Sequence, residues 1–180
     1  MPGKHIPALN VAFGLSSYGV VGVAVHDDEL FALLLGGSRA ELLEEFLVMF
    51  PNITLTSEKE AAHVLSDVLQ SLESPRRSPK TPLHMLGTEF QCRVWRYLQT
   101  IPVGETRTYA EVAEGIGQPE AVRAVANACG TNKIAMLIPC HRVVRSDGTL
   151  GGYRWGTDLK ARMLERECEL TSGASHRFCG

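Results

Sequence analysis

The chain has no apolar run long enough to cross a membrane. Its longest hydrophobic stretches are broken by Gly, Asp or Glu well short of the roughly 18 residues a span requires. The N-terminal MPGKHIPALN carries one Lys but no apolar segment of signal length and no small-residue cleavage pattern. An intracellular location is therefore expected, cytoplasmic and nucleoid-associated in a bacterium or nuclear in a eukaryote, with no membrane partner. Cysteine is sparse: the five, at 92, 129, 140, 168 and 179, are an odd number and form no CxxC pair. That pattern argues against a disulfide framework and against a Cys-rich zinc site. The six histidines show no HExxH or similar ligand spacing, so no metal is expected, and no cofactor motif is present.

What remains is an ordinary globular composition, 44% hydrophobic and 21% charged over 180 residues, enough for one large core or two small ones. The net charge of −2 divides unevenly: residues 1–80 hold 6 Lys plus Arg against 10 Asp plus Glu, and residues 81–180 hold 12 against 10, giving −4 and +2. An anionic partner would meet the C-terminal half, through a mild electrostatic attraction.

Three β-rich runs at 11–15, 20–25 and 30–35 are separated by turn residues. Ser38 is placed to cap a helix reaching Phe50, with Glu41 as its capping-box partner, and a second amphipathic helix is expected from about Glu58 to Leu72. Residues 74–82, with three prolines, break all periodicity and read as an interdomain linker. A long surface loop is the alternative reading. The domain expectation is 1–80 as an α/β domain, 83–170 as a mainly α domain, and 171–180 as a disordered tail.

Beyond the linker the pattern predicts a helix from Thr88 to about Gln99 with an apolar stripe at Phe90, Val94, Trp95 and Leu98. A helix from Tyr109 to Glu114, a Gly-containing turn and a second helix opening at Pro119 resemble a helix-turn-helix. That second helix is rich in alanine, with Arg123 and Asn127 its only long polar groups in the middle turns. Major-groove readers present more polar side chains. A smooth helix with one arginine suits close approach to the minor groove, with the arginine inserted as a wedge. Packing in a core accounts for the alanines equally well.

The segment Ile138-Pro139-Cys140-His141-Arg142-Val143 follows an apolar run and places a thiol at the end of a buried stretch. A nucleophilic cysteine needs positive charge or a base nearby. His141 is adjacent in sequence, but neighbouring side chains diverge, so contact with Cys140 would run through a water. By residue chemistry alone, a buried structural cysteine is the commoner reading.

Pro139-Cys140-His141-Arg142-Val143 resembles the active-site motif of the O6-alkylguanine-DNA alkyltransferases, and within them the C-terminal domain of the bacterial Ada type. The likeness runs from about Leu9 to Glu167. It includes Gly87-Thr88-Glu89-Phe90-Gln91, Ile101-Pro102-Val103-Gly104-Glu105-Thr106, Ala121-Val122-Arg123-Ala124-Val125-Ala126 and Gly148-Thr149-Leu150-Gly151-Gly152-Tyr153. The resemblance implies a ribonuclease H-like α/β domain followed by a winged-helix-like domain. It implies a monomer that binds double-stranded DNA through the minor groove with little sequence specificity. The damaged base, O6-alkylguanine and by extension O4-alkylthymine, is flipped out, and its alkyl group moves irreversibly to Cys140 without a cofactor. Implied roles follow for the other residues. His141 and Glu167 relay the thiol proton through a water. Asn132 is a hinge between recognition helix and active-site strand, and Tyr109 turns the nucleotide and protonates the guanine. Arg123 fills the vacated stack, flanked by Ala121 and Ala126 on the DNA-facing helix. Tyr153 walls the base pocket, Val143 offers a carbonyl to the exocyclic amine, and Arg142 contacts substrate or DNA. Glu120 stands where the Ada-type pattern is basic, and residues 170–180 have no counterpart in it.

Three other readings stay open at this point. A non-catalytic lesion-binding protein is opposed by the presence of Cys140. A transcriptional regulator using the helix-turn-helix is supported by the Ada-type resemblance but opposed by the few base-reading side chains, and a cysteine hydrolase would use the Cys–His pair for acyl transfer.

Overall fold

The structure, a computed structural model, describes residues 7–51 and 58–171; of the tail expected to be disordered, Thr171 instead ends a helix and 172–180 lie outside the described residues. The chain forms two compact units, divided between Met85 and Leu86.

The first unit is built on an antiparallel meander of β1 (Asn10–Ser16), β2 (Gly19–His26) and β3 (Glu29–Gly36). Asp27 and Asp28 both take left-handed backbone, φ 46° and 62°. A two-residue hairpin that matches strand twist needs that geometry, and Asp tolerates it better than most residues. From Val21 to Val25 and from Leu30 to Leu35 every side chain is buried, because helices cover both faces of the sheet. On one face α1 (Arg39–Met49) sets Phe46 over Gly22, where an added Cβ would meet the ring at 2.8 Å. On the other α2 (Glu58–Glu73) sets Leu69 against Gly14 at 2.9 Å. These two glycines let the helices approach. Ser38 caps α1 as expected, accepting from the Glu41 N–H at 3.2 Å, but the Glu41 carboxylate reaches back to the Gly37 N–H instead of closing the box on Ser38.

The stretch read as a linker is tied to this first unit. Asp67 on α2 accepts from the N–H groups of Lys80 and Thr81, at 2.7 and 3.0 Å, and from the Arg77 guanidinium at 3.0 Å. Leu83 then bridges Leu30 on β3. One well-placed carboxylate organises a segment whose prolines exclude regular structure. A second departure concerns cysteine: Cys129 and Cys140 are free thiols, but Cys168 is disulfide-bonded. The odd count and the missing CxxC pair bear on a framework, not on a single pairing.

The second unit holds α3 (Glu89–Leu98), β4 (Arg107–Thr108), α4 (Tyr109–Gly115), a 3-10 turn at Pro119–Ala121, α5 (Val122–Gly130), a second 3-10 turn at Cys140–Arg142, β5 (Val143–Val144) and α6 (Thr157–Thr171). Thr88 with Gln91, and Thr108 with Glu111, close reciprocal capping boxes on α3 and α4, fixing where both helices start. Trp95 on α3 donates its indole N–H to the Ala128 carbonyl on α5 at 2.9 Å. Parallel pairing of Arg107 with Val143 and Thr108 with Val144 brings the start of α4 beside the Cys140 turn. The expected active-site strand is therefore short: the residues before Cys140 form turns, and extended pairing begins only at Val143.

Candidate active site and nucleic-acid interface

Pro139 delivers Cys140. With φ −80° and ψ 62°, and the Cys140 N–H on the Ile138 carbonyl at 2.8 Å, it makes a three-residue turn for which the ring pre-sets φ. Just before it Met136 adopts φ 60°, and the Leu137 N–H reaches the Ala135 carbonyl at 2.6 Å. A left-handed methionine costs on the order of 1–3 kcal/mol and persists only where its surroundings hold it. Asn132 supplies that restraint. Its Oδ1 accepts from the Ile134 N–H at 2.9 Å. Its Nδ2 faces the Ile134 carbonyl at 3.1 Å, the Ile138 carbonyl at 3.0 Å and Cys140 Sγ at 3.2 Å. Two N–H groups serve three acceptors, so the sulfur shares its donor. Fully buried and two residues past α5, Asn132 couples that helix to the nucleophile's backbone.

Beneath the turn lies a buried ionic cluster. Glu167 on α6 accepts from His141 Nε2 at 2.8 Å, from Arg142 Nε and Nη2 at 2.9 and 2.8 Å, and from the Gly104 N–H at 3.2 Å. Burial alone would raise its pKa, but the His141 hydrogen bond and the Arg142 charge outweigh burial and hold it down at about 2. An ionised carboxylate only accepts, so Nε2 must carry the imidazole proton and Nδ1 is left as the acceptor. That Nδ1 is buried without a partner. Burial also lowers the His141 pKa against the pull of Glu167, favouring neutral imidazole. For Cys140, burial raises the thiol pKa while the Asn132 hydrogen bond and the Lys160 charge oppose it.

Above the turn opens a cavity of about 600 Å³ lined by Tyr109, Arg123, Ala126, Cys140, Tyr153 and Arg154, among others, a size that suits a small ligand. Tyr109 is the first residue of α4, half-buried, its hydroxyl within 3.0 Å of where a Gly151 Cβ would stand. Arg123 is exposed on α5, and Ala121 and Ala126 beside it are half-buried. Tyr153 packs edge-on against His141 with centroids 6.4 Å apart.

Two expected residues sit differently from the sequence reading. Arg142 does not face outward: it is buried, with its guanidinium on Glu167 and on the Ile101 carbonyl at 2.6 Å. The Val143 carbonyl already accepts from Lys160 Nζ at 2.6 Å, which leaves one lone pair for a ligand. Lys160 itself went unremarked in the sequence. Its signal was there: Lys160, Met163 and Glu167 recur at i, i+3 and i+7 on the buried face of α6, so two ionisable groups occupy an apolar stripe.

A buried cysteine over a buried His–Glu pair, beside a helical hairpin carrying one outward arginine, is the arrangement of a cysteine-centred site, and the comparisons with known proteins give its class. Residues 89–169 match the 6-O-methylguanine DNA methyltransferase, DNA binding domain. The chain is 35% identical over 148 residues to the inducible methylated-DNA–protein-cysteine methyltransferase of Bacillus subtilis, covering 79% of this chain and 83% of that one. It is 48% identical over 149 residues to the bifunctional transcriptional activator/DNA repair enzyme Ada of Escherichia coli, covering 82% of this chain and 42% of Ada. It thus spans less than half the length of that relative. Among solved structures, the Mycobacterium tuberculosis OGT in complex with DNA superposes with TM-score 0.70 at 34% identity, over 89% of this chain and 93% of that one. The chain belongs to the methylated-DNA–protein-cysteine methyltransferase family.

Proposed function

We propose that this chain repairs DNA by direct reversal, moving the alkyl group of O6-alkylguanine, and of O4-alkylthymine, onto Cys140 in one irreversible turnover. The observation that carries this reading is the unpartnered, buried Nδ1 of His141 in the tautomer that Glu167 imposes. It is an acceptor awaiting a proton, and a water between it and Cys140 completes the path from the thiol. His141 takes that proton through the water, and the sulfur attacks the alkyl carbon. The carbon–oxygen bond breaks with its electron pair going to the guanine oxygen, the purine anion takes a proton from Tyr109 at N3, and the proton held by His141 returns through solvent to the Tyr109 phenolate. The product is a neutral thioether and an intact base. A thioether has no easy leaving group, so the protein is consumed.

A carbon inside a base stack is beyond in-line reach of a protein sulfur, so the nucleotide is rotated out at a cost of roughly a few kcal/mol. Arg123 fills the vacancy, while Ala121 and Ala126 keep the helix surface low enough for a minor groove. Tyr153 walls the base, and the free lone pair of the Val143 carbonyl receives the exocyclic amine. Arg142 acts from beneath, holding Glu167 in place. We read the first unit, a three-stranded meander between two helices, as ribonuclease H-like, and the hairpin of α4 and α5 with its small sheet as winged-helix-like. The protein acts as a monomer with little sequence preference, in the compartment that holds DNA, and its two domains meet at Met85–Leu86 rather than within residues 74–82. Incubation with a duplex carrying radiolabelled O6-methylguanine tests the reaction: label passes from DNA to protein, and Cys140→Ala receives none. Label released as free methanol instead would contradict it.

A further inference from the structure

Lys160 is fully buried, and among the described residues no carboxylate stands within ion-pair distance of it. Glu167, two turns along α6, is committed to His141 and Arg142. The ammonium donates to the carbonyls of Val143 at 2.6 Å, Leu150 and Gly152, so three carbonyl dipoles solvate it. A buried cation held by neutral dipoles alone is a costly arrangement unless an anion joins it during function. The anion the site produces is close by. The Val143 N–H bonds the Cys140 carbonyl, and the Val143 carbonyl bonds Lys160, so a hydrogen-bonded relay runs from the nucleophile's own turn to the charge.

We infer that Lys160 is the counter-cation of the Cys140 thiolate, a positioning residue whose charge acts on the sulfur while its three donor bonds fix the base-pocket loop against the nucleophile turn. This rests on Cys140 as the alkyl acceptor. The other groups facing the sulfur cannot serve in its place. Tyr109 on α4 and Cys129 on α5 are neutral and are pushed further from ionisation by burial. The His141 imidazole is held neutral by burial, and Arg142 is neutralised by Glu167. Arg145 and Arg154, both exposed, are screened by solvent. Lys160 and Cys140 act on each other in both directions: the ammonium pulls the thiol pKa down, and a thiolate pulls the ammonium pKa up against its burial. Formation of the neutral thioether removes the anion and leaves the cation with carbonyls alone.

The test is the full pH profile of methyl transfer to Cys140, on the parent chain, Lys160→Gln and Lys160→Met. Gln keeps donors for the carbonyls but has no charge; Met has neither. Removing an opposite charge that stands within about 4–6 Å of an acid raises its pKa by about one to three units. The Gln profile should therefore shift up by about one unit or more, with transfer roughly tenfold slower below the midpoint and converging on the parent above it. A purely structural role predicts instead a Gln profile that superposes on the parent, with loss confined to Met, and that result overturns the inference. Should neither variant fold, carbon-13 NMR of the Lys160 side chain in Cys140→Ala against the parent decides it. Its titration moves down if the two charges are coupled and stays in place if they are not. A parent chain that puts no methyl on Cys140 would defeat the proposed function itself, an outcome distinct from an unshifted Gln profile.

Discussion

Glu167 holds a histidine and an arginine at once in a site with almost no solvent, and its removal is felt in both stability and chemistry. Glu167→Gln leaves the Arg142 charge buried without its partner, which costs about 3–5 kcal/mol where one member of a buried pair is deleted. Urea unfolding of the variant should show a loss of that order, and transfer should slow because the His141 tautomer is no longer imposed. The same pair sets an acid limit. The Glu167 pKa is lowered from 4.5 to about 2 in the fold, so its contribution is complete above 4.5 and is lost as pH falls towards 2. Unfolding free energy followed across that window should therefore drop more steeply in the parent than in Glu167→Gln. Tyr109→Phe retains the ring that lines the cavity but has no proton to give. Binding to an alkylated duplex should be close to that of the parent while the single-turnover rate falls, and an unchanged rate would remove Tyr109 from the reaction.

At the scale of elements, the proposed function divides the work between α5 and the turns it leads into: the helix is assigned to DNA, and Asn132, two residues past its end, bonds the Cys140 sulfur. Arg123→Ala should reduce repair of duplex DNA far more than reaction with the free alkylated base, because holding the stack open matters only in a duplex. Equal losses on both substrates would contradict the wedge. Much of this level was legible in the sequence. The strands, the helix starts at Ser38, Thr88 and Tyr109, and the hairpin of α4 and α5 follow from turn residues, capping residues and periodicity, which are local signals. The turns before Cys140 were not legible. The apolar run from Ile134 to Ile138 reads as a buried stretch leading to the thiol, whereas Met136 is held left-handed beside an asparagine four residues earlier, a compensation visible only once Asn132 is seen to bond Ile134, Ile138 and Cys140. Asp67 organising residues 77–81 across the first unit is of the same kind. Lys160 and the inward turn of Arg142 escaped for a related reason: charged residues are read as exposed unless a partner is known, and their partners are tertiary.

For the molecule as a whole, charge is a weak lever. The second half carries +2, from 12 basic against 10 acidic residues, so DNA affinity should fall only modestly between about 50 and 200 mM salt, with a slope equivalent to few released counterions. A slope of many counterions, measured by fluorescence anisotropy, would show that phosphate contacts dominate. The central claim is that the whole protein is a single-use reagent centred on one sulfur, and intact-protein mass spectrometry after mixing with excess O6-methylguanine duplex measures it most directly. One methyl replaces one thiol proton, so each molecule should gain about 14 Da once and then stop. Peptide mapping should put the gain on Cys140, and Cys140→Ala should bind the lesion without gaining mass. Repeated turnover, or a methyl on Cys92, Cys129, Cys168 or Cys179, would contradict the account.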